Sequence, residues 1–300
     1  MLKGLKCCQG GRTPFDQCLE CSRRGECEYP LHLLHYMERG ALERAELGYS
    51  VTSILGCARR HVIQQRFDYY ESPGDVIARF VGDAVHVYAN ILNANEPGYV
   101  GEERVYANIN LKTPTTTHSI KLSGKADQRW RKTRIVDLKT TNRIPETVLP
   151  DHVAQVNLYA WMMANGVDET GKRLGLAITS GAVTYISANE KRQQTFAVPI
   201  WPQAQTEDYL SLHLEKFLPW IEDGVYPEVL PPGITPHADG SATIKRHWHC
   251  DFCPVRTECD QLGAEERGVS PNEAAYWRDG YTTAVGEATF VDEFAGRGYG

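Results

Sequence analysis

Gly124-Lys125-Ala126-Asp127 and, after a short polar turn, Ile135-Val136-Asp137-Leu138-Lys139-Thr140-Thr141 form the stretch whose reading decides the fold. Both pieces read as strands. Asp137 and Lys139 then share one face, because strand side chains alternate with period two, and Val136 and Leu138 face the core. If the two strands pair, Asp127 comes to lie beside Asp137, and neighbouring carboxylates are best tolerated when a cation neutralises them. Hard oxygen ligands with room for water suit Mg²⁺ or Mn²⁺, which can clamp a phosphate and lower the pKa of a bound water. Lys139 would position that water or stabilise charge developing at phosphorus. Taken alone, Asp-x-Lys also reads as a surface ion pair on an edge strand, which contributes little.

Working outward, apolar residues recur at helical spacing over Leu31 to Leu47, Ser53 to Phe67 and Asp75 to Leu92, with Pro73-Gly74 marking a break. Three helices are therefore expected before the first strand. Val100 to Ile109, His118 to Trp130 and Arg134 to Leu138 alternate more tightly, separated by Pro114 with its Thr run and by Arg131-Lys132-Thr133. That pattern predicts an antiparallel meander. Downstream, Val148 to Ala164 reads as a helix stopped by Gly166, Leu174 to Ile186 and Gln194 to Val198 as strands, and Ala204 to Ile221 as a helix. The expected class is α/β, leaning to α+β, with a mixed central sheet flanked by helices.

Gly124-x-x-Asp127, Asp137-x-Lys139-Thr140 and Gln155-x-x-x-Tyr159, with Gly82-x-x-x-His86 upstream, follow the order of motifs in RecB-like PD-(D/E)XK nucleases, and the chain resembles that family from Ser53 to Cys259. The resemblance implies a restriction-endonuclease-like core. It also implies a metal held by His86, Asp127, Asp137 and the Leu138 carbonyl, with Lys139 and Gln155 at the active site and Tyr159 on the nucleic-acid path. The spacings are consistent with this, since residues four apart on a helix share a face and Gly82 would let another element approach near His86. A histidine beside two carboxylates tilts the site towards Mn²⁺. Read from pattern alone, His86 is equally a hydrogen-bonded core histidine and Tyr159 a packing residue. Glu103 is a further carboxylate candidate, although alternation does not say whether it or Glu102 points inward.

Nine cysteines fall into groups: Cys7, Cys8, Cys18, Cys21 and Cys27, then Cys57, then Cys250, Cys253 and Cys259. Their odd number and grouping favour metal over disulfides. Cys250-x-x-Cys253-Pro254 followed by Cys259 is a chelating turn that lacks a fourth local ligand, and spacing alone leaves zinc and [4Fe–4S] both open. One cysteine before the core and three after it resemble the iron–sulfur subgroup of RecB-like nucleases, which includes CRISPR-associated and helicase–nuclease members. That resemblance implies a structural [4Fe–4S] cluster on Cys57, Cys250, Cys253 and Cys259. At the N-terminus, Cys7 or Cys8 with Cys18, Cys21 and Cys27 would suffice for a zinc site, and His32 or His35 could replace one ligand. The expected zinc ligand set there is Cys8, Cys18, Cys21 and Cys27, with a second cluster and reduced thiols as the other readings.

Five segments follow: residues 1–30, a Cys-rich appendage too polar to build a core without a metal or cross-link; 31–98, a helical region carrying Cys57 and His86; 99–224, the nuclease core; 225–260, the iron–sulfur segment; and 261–300, a peripheral tail. The formal net charge of −6 does not announce a nucleic-acid binder, so DNA contact must be local. Basic clusters occur at Arg59-Arg60-His61, at Arg129, Arg131, Lys132 and Arg134, and at Lys245-Arg246-His247, each also readable as solvated surface. Neither a secretory signal nor an apolar run of membrane length is present, so a cytoplasmic protein of a prokaryotic or phage-infected cell is expected, without membrane association. The expected activity is metal-dependent exonucleolytic cleavage of single-stranded DNA or DNA ends. Two rival readings are a non-catalytic DNA-binding or scaffold module and a trimming nuclease dependent on recombination, helicase or CRISPR adaptation proteins.

Overall fold

The computed structural model describes residues 1–7, 10–45, 48–113, 115–230, 233–236, 241–245, 247–268 and 281–284. In chain order the elements are β1 (Leu2–Lys6), β2 (Arg12–Pro14), α1 (Phe15–Arg23), α2 (Leu31–Ala45), β3 (Tyr49–Ser50), α3 (Val51–Leu55), α4 (Ala58–Arg66), β4 (Tyr69–Glu71) and α5 (Pro73–Asn93). Then come β5 (Tyr99–Lys112), β6 (Thr117–Trp130), β7 (Arg134–Thr140), α6 (Pro150–Asn165), β8 (Ser180–Ser187), β9 (Arg192–Val198), α7 (Gln203–Glu215) and α8 (Leu218–Asp223). Strands β10 (Gly233–Pro236) and β11 (Ser241–Lys245), α9 (Arg256–Arg267) and β12 (Tyr281–Ala284) complete the set.

The meander holds: β5 pairs antiparallel with β6 along its length, and β6 pairs antiparallel with β7. β7 then runs parallel to β8, which pairs antiparallel with β9, while β3 adds a short parallel contact to β6. This mixed six-stranded sheet flanked by helices is the restriction-endonuclease-like arrangement. A parallel β7–β8 pair needs a crossover, and α6 supplies it. α6 is apolar nearly all round, as a helix buried on most sides must be, with Ala154 to Met163 wholly inside. It packs with α3 and α7 over the sheet face carrying Leu122 and Ile135. On the opposite face Val136 and Leu138 form a smaller cluster with Ala182 and Ala89 of α5. Alternation holds in that Val136 and Leu138 face a core, the smaller one, while Asp137 and Lys139 share the large-core face with Ile135.

Several sequence expectations are corrected. Four short strands precede β5, so helices alone do not precede the first strand. The helix expected over Ser53 to Phe67 breaks between α3 and α4, where Cys57 caps α4 by accepting the Arg60 amide at 3.4 Å. Regular strand begins only at Ser180, because the amides of Leu174 and Leu176 donate to the Gly166 and Met163 carbonyls of the helix end instead of a neighbouring strand. The helix expected over Ala204 to Ile221 divides at Lys216 and Phe217, ahead of Pro219, whose ring cannot continue the preceding turn.

The first thirty residues are built in and do not hang from the fold. Leu2, Leu5, Phe15, Cys18 and Leu19 are buried with Leu33, Leu34, Met37, Ile63, Tyr69, Val76 and Val255 in a second core, and β1 pairs with β4. Of the expected tail, α9 continues to Arg267 and β12 pairs with β11, while the remainder beyond residue 268 lies outside the described residues. No described helix is long and apolar enough to cross a membrane.

Candidate metal centre

The β6–β7 ladder ends at Gln128 and Val136, one residue short of the two aspartates. Beyond that point the Leu138 amide donates at 2.8 Å to Asp127 Oδ2. The strands fork where the carboxylates stand. Behind the fork, Gly124 lets α6 come close, since a Cβ there would meet Met162 Sδ at 2.9 Å and Tyr159 Cε1 at 3.0 Å. In front of it lies α5, whose Gly82 faces Thr140 of β7, with a built Cβ 3.3 Å from Thr140 Oγ1. His86, one turn on, places Nδ1 3.2 Å from Asp127 Oδ1 and 3.9 Å from Glu102 Oε1.

Glu102 is the carboxylate that alternation could not separate from its neighbour. Its φ of 52° is left-handed for a residue with a Cβ, a conformation costing about 1–3 kcal/mol that clusters at functional sites. The β5–β6 register skips Glu102 between Gly101 and Glu103, and its carboxylate meets Lys125 and His86. Glu103, the candidate named from sequence, instead receives Arg129 Nε at 2.7 Å and Nη2 at 3.1 Å. A two-residue alternation cannot predict a backbone kink, so the sequence favoured the wrong glutamate. His86, Glu102 and Asp127 offer one ligand atom each within 4.8 Å of one another, the one such trio among the described residues.

Asp137 is wholly buried, and both its carboxylate oxygens lack a hydrogen-bond partner, although Lys139 Nζ stands 2.8 Å from Oδ2 as an ion pair. β7 lies between β6 and β8, so the surface edge-strand reading of Asp-x-Lys does not apply. Burial pushes the Asp137 carboxyl upward, Lys139 pulls it back, and Asp127 reinforces the rise. For Asp127 burial is outweighed by the His86 hydrogen bond and charge, by Lys139 and by the Leu138 amide, so its carboxyl sits low. The two aspartates therefore divide the charge between them, with one proton held preferentially on Asp137. A buried carboxylate whose one near cation is Lys139, beside a histidine and two more carboxylates, fits a hard divalent cation, which would take up its remaining acceptor capacity.

Gln155 and Tyr159 share one face of α6, and Gln155 Nε2 donates to the Tyr159 hydroxyl at 2.9 Å. Tyr159 is only 5% exposed, its hydroxyl pushed up by burial and by the nearby aspartates. It backs the carboxylates and does not line an open nucleic-acid path as the resemblance implied. Tyr185, opposite Lys139 across β7 and β8, was not singled out from sequence; its hydroxyl meets His152 Nδ1 at 2.6 Å and the Leu149 amide at 3.1 Å. Burial, aided by Lys139, brings His152 down to about 4, so it remains neutral near Lys139. The signal was available, because His152 lies one helical turn before Gln155.

The basic clusters divide between core and surface. Arg59 is buried, bonded to Glu266 and the Pro227 carbonyl, His61 stacks between Tyr49 and Phe217, and Arg129 is held by Glu103. Arg131 and Lys132 in the β6–β7 turn and Arg134 at the start of β7 are exposed, and Arg246 lies outside the described residues.

None of the described cysteines forms a disulfide. Cys253 and Cys259 pack against the second core, and Cys57 is close enough for its charge to act on both; burial raises the Cys253 thiol to about 11. Cys250 joins Cys253 through a turn in which the Cys253 amide donates to the Cys250 carbonyl at 3.3 Å. At the N-terminus the charges of Cys27, Cys7 and Cys21 act on buried Cys18, whereas Cys8 lies outside the described residues.

The buried carboxylate yields a prediction for the metal-free protein. A carboxyl raised on folding contributes stability below the ordinary carboxylate range, about pH 4, and that contribution is lost as pH rises through the raised value. In thermal melts with chelator, the melting temperature of Asp137→Asn should gain on the wild type between about pH 5 and about pH 8, and saturating Mg²⁺ should narrow the gap by stabilising the wild type alone. Parallel pH curves for the two proteins would show that Asp137 carries no such burden.

A family model described as the PD-(D/E)XK nuclease superfamily matches residues 95–260. A solved structure described as "Crystal structure of SSO0001" aligns with 73% of this chain and 93% of its own, at 16% identity and a TM-score of 0.48. No curated protein matches the sequence.

Proposed function

The chain belongs to the PD-(D/E)XK nuclease superfamily, and from that premise we propose that it hydrolyses DNA phosphodiester bonds as an exonuclease on single strands or strand ends. The observation that carries the reading is Asp137, wholly buried with unsatisfied carboxylate oxygens beside Lys139, Asp127 and His86. His86, Asp127, Asp137 and the Leu138 carbonyl would hold Mg²⁺ or Mn²⁺, with Glu102 as a further ligand. The bound ion supplies a Lewis acid and a water of lowered pKa.

The remaining work belongs to side chains. Asp127, fixed by the Leu138 amide, and His86, fixed by Asp127, orient the ligand set before substrate arrives. Lys139, partly exposed on the Asp137 face, presents its ammonium where an attacking water or a phosphoryl oxygen would stand, offsetting negative charge in the transition state. Gln155 and Tyr159 close the rear of the site and keep bulk water from Asp137. The exonuclease preference rests on the likeness to RecB-type enzymes stated from sequence.

The second component is a structural [4Fe–4S] cluster on Cys57, Cys250, Cys253 and Cys259. Supporting it, the Cys57 charge acts on Cys253 and Cys259 where the chain after the sheet returns to α4, and Cys250 adjoins Cys253 through its turn.

The test is incubation of anaerobically purified protein with end-labelled single- and double-stranded DNA, with Mg²⁺, Mn²⁺ or chelator. Stepwise shortening of single strands that requires metal is expected, together with brown colour and about four irons per chain. DNA bound but left intact under every metal condition would favour the scaffold reading, and a colourless, iron-free protein would remove the cluster.

A further inference from the structure

The N-terminal cysteines are not needed for the nuclease site, yet the fold gathers them. Cys7 follows β1 in a tight turn: its amide donates to the Gly11 carbonyl at 2.9 Å, and its carbonyl accepts from Gly10 at 3.0 Å. That turn joins β1 to β2, which leads directly into α1. Cys18 and Cys21 lie three apart on α1, and the Cys18 thiol reaches 3.7 Å from the Thr13 carbonyl of the hairpin. After α1 the chain reverses at Gly25, whose φ is +73°, and the Glu26 amide returns to the Cys21 carbonyl at 3.1 Å. This reversal brings Cys27 back to α1. There Cys27 accepts the Tyr29 amide at 3.4 Å, and Ser22 Oγ ties down the Tyr29 carbonyl at 2.9 Å.

We propose that Cys7, Cys18, Cys21 and Cys27 form a four-thiolate site for a thiophilic metal, separate from the Cys57 group and structural in role. The four come from the hairpin, the helix and the reversal after it, so one centre would fasten three pieces that already pack in the second core. The second core takes in Cys18 and Cys27 from these N-terminal pieces and Cys253 and Cys259 from the C-terminal segment. Arg12 of the hairpin reaches Glu258 of α9 at 3.0 Å, next to Cys259, so both thiol groups border the same core. The proposal is independent of the nuclease reading. It replaces Cys8 with Cys7 in the ligand set named from sequence.

Without metal, the thiol of Cys18 is raised to about 11 by burial and by the Cys27, Cys7 and Cys21 charges. Metal uptake releases the thiol protons to solvent and replaces mutual repulsion with four metal–sulfur bonds. The sulfurs stand wider than a lone zinc ion requires, since no three of them fall within 4.8 Å. The site thus either draws in around one zinc ion or encloses an iron–sulfur cluster, and metal analysis separates these two occupants of the same thiolate chemistry.

The experiment is elemental analysis of the full chain, anaerobically purified, for wild type, Cys7→Ser, Cys8→Ser, Cys21→Ser and Cys253→Ser. Cys7→Ser and Cys21→Ser should each lose about one zinc, or one cluster's iron, relative to wild type, with Cys8→Ser unchanged. Cys253→Ser should keep that increment. If Cys21→Ser fails to fold, Cys21→His, which retains a ligand, should restore the metal, and cobalt(II) loading should show weaker sulfur-to-metal absorption than wild type. Metal content unaffected by Cys7→Ser and Cys21→Ser, or lost with Cys8→Ser in place of Cys7→Ser, would overturn the assignment.

Discussion

Asp137→Ala and Lys139→Ala are each expected to lower metal-dependent DNA cleavage by at least ~10²-fold while the sheet remains folded. The two losses should differ in kind. Removing Asp137 takes a buried ligand from the cation, so activity should partly recover as Mn²⁺ or Mg²⁺ is raised and metal-induced stabilisation should weaken. Removing Lys139 takes no proposed ligand. Metal stabilisation should then persist while kcat falls and excess metal fails to restore it. Lys139→Ala also strips Asp137 of its ion-pair partner 2.8 Å away, so the metal-free protein should melt lower than wild type at neutral pH. Single-turnover cleavage with a metal titration, alongside melting curves, separates these outcomes. Wild-type rates in either variant would remove this centre from the chemistry.

The second large effect is on stability. Phe217→Ala should cost roughly 3–5 kcal/mol, because Phe217 is fully buried where α7 gives way to α8 and its removal leaves a cavity. Its ring meets Tyr49 of β3 edge-on at a 5.2 Å centroid separation and His61 of α4 at 5.6 Å. It therefore ties the helices after the sheet to the strand beside β6 and to the helix that Cys57 caps. A fall in melting temperature of roughly 10 °C is expected for a chain of this size, with Phe217→Leu losing much less. If Cys57 belongs to a metal site, iron should also be lost on heating at a lower temperature. Equal stability of the alanine and leucine variants would show that this junction is not a packing centre.

What the sequence determined by itself is the part governed by short-range periodicity. Alternation over Val100 to Leu138 specifies the β5–β6–β7 meander, and helical spacing specifies α5 and α6 within a few residues of their ends. The same periods put His86, Asp127, Asp137 and Lys139 at one place once the strands pair, because a hairpin and two flanking helices leave little freedom. Tertiary structure decided the rest. Which glutamate turns inward depended on a left-handed backbone at Glu102, paid for by the surrounding sheet and invisible to any residue pattern. Which face Asp137 shares depended on helices packing against both sides of β7, and its full burial, the source of its raised carboxyl, is a property of that packing. The first thirty residues looked too polar to belong to a core, since their few apolar side chains suffice only when pooled with α2, α4, β4 and α9. Cys7 likewise joins Cys18 only through the hairpin turn, because contacts between residues distant in sequence are set by how elements dock and not by the spacing along any one of them.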